Sequence, residues 1–194
     1  MAADARIVPG HGLNYWSSIP ATEDGMLGGI PRIAPQLSRI DIQSSRTFLA
    51  RLGIGQRRGR TKVARALEPG AGIGRVTLGL LVDVADAVDV VEPIARFTEG
   101  LVGREGVARV LNVGMDEWRA EMGREDEVDV DDNKRLYDLV WIQLCVGQLT
   151  DKQLTGFLER CREALKPGGY ICIKDNVCRS VCDMFDETDS SVTR

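Results

Sequence analysis

The chain has 194 residues, of which 43% are apolar and 28% charged, a composition that supports one globular core and excludes a disordered or fibrous class. Its net charge of −4 and sequence pI near 5.2 argue against a nucleic-acid binder, which needs clustered Lys and Arg for phosphate contacts. No apolar run approaches the roughly 18 residues of a membrane span, and no signal peptide is recognisable, so the reading is a soluble intracellular protein in the cytoplasm or nucleus.

Residues 1–12 are small, polar and broken by Gly and Pro, and read as a flexible tail. Residues 13–56 read as an N-terminal helical arm or lid, holding Tyr15-Trp16 and Asp24-Gly25-Met26-Leu27-Gly28-Gly29. Within it, Ile42, Ser45, Phe48, Leu49 and Leu52 recur on one helical face, which predicts a helix over 41–52 with Asp41 at its start and Gly53 as its stop. The basic run 57–62 is a solvated linker.

Residues 57–194 then alternate short apolar strands with helices. Strands are expected at 63–67, 87–92, 107–113, 136–143 and 170–174, with helices at 76–84, 93–103 and 151–165. Such alternation predicts an α/β domain, Rossmann-like, with a mostly parallel sheet covered by helices on both faces. The acidic run 125–134 is expected to be a surface loop.

The five cysteines, with His11 the only histidine and far away in sequence, have no zinc-ligand spacing, so no metal is expected. Glu68-Pro69-Gly70-Ala71-Gly72-Ile73-Gly74-Arg75 follows a strand and opens a helix, the context of a nucleotide-binding turn. The dinucleotide fingerprint would place a third glycine at position 75, where this chain has Arg75; the G-x-G-x-G variant is typical of S-adenosylmethionine sites. Glu92 ends the second strand, 18 residues after Gly74, where a carboxylate can accept both ribose hydroxyls of any adenosine cofactor.

Taken in order, Tyr15-Trp16, Asp24–Gly29, Ile40–Arg46, Gly70–Arg75, Trp141-Ile142-Gln143, Ile173–Asn176 and Asp189-Ser190-Ser191-Val192 closely resemble the protein N-terminal methyltransferase family, whose members modify α-amines of proteins beginning Xaa-Pro-Lys. The resemblance runs from about Tyr15 to Val192. It implies a class I S-adenosylmethionine-dependent methyltransferase fold and a cofactor site made by Gly70, Gly72, Arg75, Glu92, Met115, Asp116 and Gln143. It further implies a peptide channel walled by Tyr15, Trp16 and Leu27, with Asn176, Asp186 and Ser191 on the substrate and Asp189 and Asp175 handling the amine and its proton.

Two departures from the family pattern carry consequences. The family's usual His is Gln148 here, which moves base duty to Asp189 or water, and its aromatic residue beside Gln143 is Leu144, which loosens the channel. The family sheet has seven strands, whereas this chain ends at Arg194 soon after the fifth, so the closing strands are expected to be missing, with a partner subunit as one way to complete the fold. The competing readings are a non-catalytic methyltransferase-fold protein that binds N-termini or activates an enzyme, and a small-molecule amine methyltransferase.

Overall fold

A computed structural model describes residues 2–28, 34–123, 137–179 and 181–194. The acidic run 125–134, Gly29 and Leu136 lie outside the described residues.

Five strands form one parallel sheet in the order β3-β2-β1-β4-β5: β1 (Val63–Pro69), β2 (Ala85–Val91), β3 (Val107–Leu111), β4 (Tyr137–Gln143) and β5 (Leu165–Lys174). Their apolar runs are buried on both faces, as crossover connections require. Alternate residues of β4 show it: Leu139 and Trp141 join a core with Leu49, Leu80, Val88 and Val90, while Val140 and Ile142 join one with Trp118, Phe157 and Cys161 on the opposite face. The Rossmann-like expectation holds, and the sequential order reverses between β1 and β4, the switch point at which such sheets bind ligands beyond their carboxyl ends.

The helices are α1 (His11–Ser18), α2 (Glu23–Met26), α3 (Ala34–Arg51), α4 (Val82–Val84), α5 (Ala95–Thr98) and α6 (Asp151–Glu163). Gly53 takes φ +80° just after α3, a left-handed cap that a β-carbon would oppose. The helix starts earlier than predicted, and Asp41 sits in its interior rather than at its start. The predicted helix 93–103 shrinks to Ala95–Thr98, followed by turns. A π-helical turn, Thr77–Leu81, precedes α4. Helix α6 opens on a capping box: Thr150 accepts the Gln153 N–H, and the Gln153 side chain accepts the Thr150 N–H.

Beyond β5 the chain makes an antiparallel hairpin of β6 (Met184–Asp186) and β7 (Ser191–Thr193), with Phe185 opposite Val192. The sequence reading placed no strand here, because three-residue strands show almost no alternation. The hairpin is secured through Val192, which is buried, and Arg194, whose guanidinium donates to the carbonyls of Val146 (3.2 Å) and Leu149 (2.7 Å) and to Asp151 (2.8 Å).

Candidate active site

A cleft of about 600 Å³ opens at the carboxyl ends of the strands. That volume suits a drug-sized or cofactor-sized ligand. Its floor is the turn after β1. Gly70, Gly72 and Gly74 all have positive φ, and the N–H groups of Gly70 and Ala71 donate to the Val91 carbonyl, strapping the turn to the end of β2. The glycines are sterically required. A Cβ on Gly70 would lie 2.7 Å from Cys145 Cβ and Sγ, one on Gly72 2.9 Å from Met26 Sδ, and one on Gly74 2.3 Å from Leu101 Cδ2.

Glu92 stands beside this turn, accepting the Gly72 N–H at 2.9 Å and the Ile94 N–H at 3.0 Å. Each carboxylate oxygen keeps a lone pair for a further donor. Burial pushes the Glu92 carboxyl upward, partly offset by those two backbone bonds. Glu68, fully buried behind the turn and hydrogen-bonded to the Thr77 hydroxyl, is pushed by burial up to about 8 and is mostly neutral at pH 7.

Arg75 and Gln143 approach from the other side. Arg75 Nη1 and Gln143 Nε2 each donate at 2.7 Å to the same oxygen, Asp41 Oδ2, while Trp141 Nε1 fixes the Gln143 carbonyl at 3.0 Å. Lys174 binds the other Asp41 oxygen and the hydroxyls of Ser44 (2.9 Å) and Ser45 (2.8 Å). Burial acts to raise the Asp41 carboxyl, but hydrogen bonds from Lys174 and Arg75 outweigh it and the net displacement is downward.

The far wall comes from the segments after β3 and β4. Met115 is buried, with Sδ 3.9 Å from Cys145 Sγ, and Asp116 receives Gln153 Nε2 at 3.0 Å. The segment after β4 links two carboxylates: Val146 N–H donates to Asp175 Oδ2 (3.2 Å) and Gln148 Nε2 to Asp189 Oδ2 (2.9 Å). Ser191 N–H donates to the second Asp189 oxygen at 3.1 Å. Leu144 and Ser190 both line the cleft and both hold positive φ, 56° and 58°, without being glycine. Such backbone costs of order 1–3 kcal/mol and clusters at functional sites.

Part of the roof is the N-terminal arm. Trp16 lines the cleft and stacks edge-on with Tyr15 at 5.4 Å between centroids. Arg96 Nη2 gathers the carbonyls of Trp16 (3.2 Å), Ser17 (2.7 Å) and Ile19 at the end of α1, latching the arm to the domain. Residues 7–10 also line the cleft, with the Val8 N–H held by Ser190 Oγ at 2.8 Å.

All seven residues expected at a cofactor, Gly70, Gly72, Arg75, Glu92, Met115, Asp116 and Gln143, line this one cleft, as does Trp16. Tyr15, Leu27, Asn176, Asp186 and Ser191 do not. Tyr15 packs on Trp16; Leu27 follows α2, and its neighbour Met26 reaches the glycine turn; Asn176 and Asp186 are exposed. Asp175 and Asp189 stand just behind the lining, bonded to the segment after β4. The sequence reading missed Glu68, Met26, Cys145 and Asp41 as part of the site. Glu68, Met26 and Asp41 lie inside the sequence motifs, Asp41 with only a helix-start role expected of it, whereas Cys145 carries no pattern of its own. Among the described residues, no group of three His, Cys, Asp or Glu could hold a metal ion, and no helix is long and apolar enough to cross a membrane.

A glycine turn that a Cβ would fill, an acid at the second strand end and a cation beside the turn fit S-adenosylmethionine, and together they define the chain as an S-adenosylmethionine-dependent methyltransferase with a Rossmann-like fold. The family model described as an AdoMet-dependent proline di-methyltransferase matches residues 4–194, and the chain belongs to that family. It is 39% identical over 186 residues to the alpha N-terminal protein methyltransferase 1 of Schizosaccharomyces pombe, covering 94% of this chain and 76% of the relative. It is 41% identical over 186 residues to the mouse (Mus musculus) N-terminal Xaa-Pro-Lys N-methyltransferase 1, covering 93% and 75%. A solved S-adenosylmethionine-dependent methyltransferase from Leishmania major superposes with a TM-score of 0.75 at 33% identity, covering 95% of this chain and 67% of that one.

Proposed function

We infer that this chain methylates the free α-amino group of protein N-termini, with Xaa-Pro-Lys sequences as substrates and S-adenosylmethionine as methyl donor. The observation that carries the reading is the single cleft in which the glycine turn, Arg75 and Glu92 face Trp16, Gln148 and Ser190. A cofactor site and an amine-binding site thus share one space.

S-adenosylmethionine, when bound, supplies an activated methyl group on a sulfonium. The chain's residues then have to hold the cofactor and present a neutral amine in line. Gly70 and Gly72 give the backbone room, Arg75 would offer a planar guanidinium to the methionine carboxylate, and Glu92 would accept the ribose hydroxyl hydrogens. Met115 would lie against the adenine, with Asp116 at its amino group, and Gln143 would close the methionine end; all three line the cleft.

An α-amine has a pKa of about 7.7–8.0, so much of it must lose a proton before attack. Asp189 and Asp175 receive and orient the ammonium from the hairpin side and the end of β5. Gln148 cannot take the proton but holds Asp189 in place through its amide. Trp16 packs on the proline ring, and Tyr15, Leu27, Asn176, Asp186 and Ser191 line the approach of the peptide. The free thiols of Cys145, Cys161 and Cys172 fit a reducing cytoplasmic or nuclear setting.

The test is calorimetric titration with S-adenosylhomocysteine, then with a Xaa-Pro-Lys peptide, followed by mass spectrometry of the peptide after incubation with S-adenosylmethionine. Methyl gain on the N-terminal nitrogen is expected, and its absence from a chain that binds both ligands would replace an enzyme with a binding protein. That second reading is favoured by one observation, the Gln148 amide standing against Asp189.

A further inference from the structure

We propose that Asp41 is a positioning residue of the methyl-transfer site, acting on the cofactor's amino-acid end through Arg75 and Gln143; the proposal rests on the cofactor reading above. Asp41 lies in the interior of α3, outside the cleft lining, and would not itself touch a ligand. Its Oδ2 accepts from both Arg75 Nη1 and Gln143 Nε2 at 2.7 Å, so one carboxylate oxygen fixes two side chains that line the cleft. The remaining oxygen is held by Lys174, which also donates to the Asp41 carbonyl at 3.0 Å.

The geometry joins three regions that the chain keeps far apart: helix α3, the turn after β1, and the neighbouring ends of β4 and β5, where Gln143 pairs in register with Lys174. A guanidinium has five donors in a rigid fork, and engaging Nη1 on Asp41 leaves other donors of Arg75, which lines the cleft, for a ligand. Long Arg side chains lose considerable rotamer freedom on ordering, and Asp41 supplies that ordering before a ligand arrives. The charges agree. Arg75 and Lys174 against Asp41 leave one net positive charge, suited to one ligand carboxylate, and Glu68 behind the turn adds little negative charge at neutral pH. Arg75 is only 9% exposed, so its field is poorly screened by water.

A purely architectural Asp41 would stabilise α3 against the sheet and affect every ligand of the cleft alike. A positioning Asp41 affects only ligands that carry the amino-acid moiety. The experiment is calorimetric titration of the full chain with S-adenosylhomocysteine and with 5′-methylthioadenosine, which keeps the nucleoside thioether and lacks the carboxylate and amine. Asp41→Asn should weaken S-adenosylhomocysteine about tenfold and leave 5′-methylthioadenosine unchanged. Asp41→Glu, which keeps the charge, should recover part of the loss. In an Arg75→Ala background, Asp41→Asn should cost S-adenosylhomocysteine less than it does with Arg75 present, the remainder acting through Gln143.

Equal losses for both ligands, or unchanged S-adenosylhomocysteine affinity, would overturn the positioning role while leaving the cofactor site standing. A wild-type chain that binds neither ligand would overturn the cofactor reading and this proposal with it. Should Asp41→Asn not fold, Asp41→Glu decides the matter by the same ratio of the two affinities, since an architectural role leaves that ratio unmoved.

Discussion

Asp89 shows how one residue can tie together four strands of the sheet. It is fully buried in β2 and is bonded by Arg65 from β1 (2.9 Å), Arg109 from β3 (2.7 Å) and the Tyr137 hydroxyl from β4 (2.7 Å). Burial acts to raise its carboxyl, but hydrogen bonds from Arg109 and Arg65 prevail and hold it low. A carboxyl lowered on folding contributes stability above its unfolded pKa of about 3.9, lost as pH falls through the folded value. Asp89→Asn should therefore cost about 3 kcal/mol in urea denaturation at pH 7, because two cations lose their shared partner. Glu68 has the opposite sign. Its carboxyl is raised to about 8, so its contribution is full below about pH 4.3 and is lost as pH rises toward 8. Glu68→Gln should flatten that decline between pH 5 and 8, as read by denaturation midpoints across the range; an unchanged slope would mean that Glu68 ionises freely.

At the scale of elements, the helical arm and the hairpin both border the cleft, through Trp16 and Ser190. Arg96 alone gathers three carbonyls at the end of α1. Arg96→Ala should release α1, raising hydrogen exchange of residues 11–18 while leaving the β-sheet amides protected. Exchange that rises equally in β1 would show general destabilisation instead. On the opposite side, Arg6 lies 4.3 Å from the Phe185 ring and 2.8 Å from Glu187, so residues 4–10 bridge from the tail to the hairpin. Helix α6 is stabilised at its start, and Thr150→Ala should cost about 1 kcal/mol by removing the capping box.

Over the whole molecule, ligand binding and stability are coupled by mass action. S-adenosylhomocysteine at 100 times its Kd should stabilise the folded chain by about 2.7 kcal/mol, raising Tm by roughly 5–10 °C at this chain length. A flat melting temperature under saturating ligand would contradict the cofactor site. The sheet that carries the site has β3 and β5 at its edges, and Tyr170 and Ile173 of β5 are 41% and 49% exposed. The hairpin pairs with itself and leaves that edge alone.

The sequence by itself determined the class of fold, the glycine turn and the acid at the second strand end. Those signals are local: alternating apolar runs, glycines whose positive φ a turn demands, and motifs quoted in order. Only the tertiary structure decided which long side chains meet. Asp41, read as a helix start, became the hub of Arg75, Gln143 and Lys174 because packing α3 against the strand ends brings together residues 34, 102 and 133 positions apart. Gln148 and Asp189 meet for the same reason, across 41 positions, through a hairpin whose short strands left no periodic trace. Spacing along a chain reports backbone conformation over a few residues, whereas convergence of charges depends on how whole elements pack.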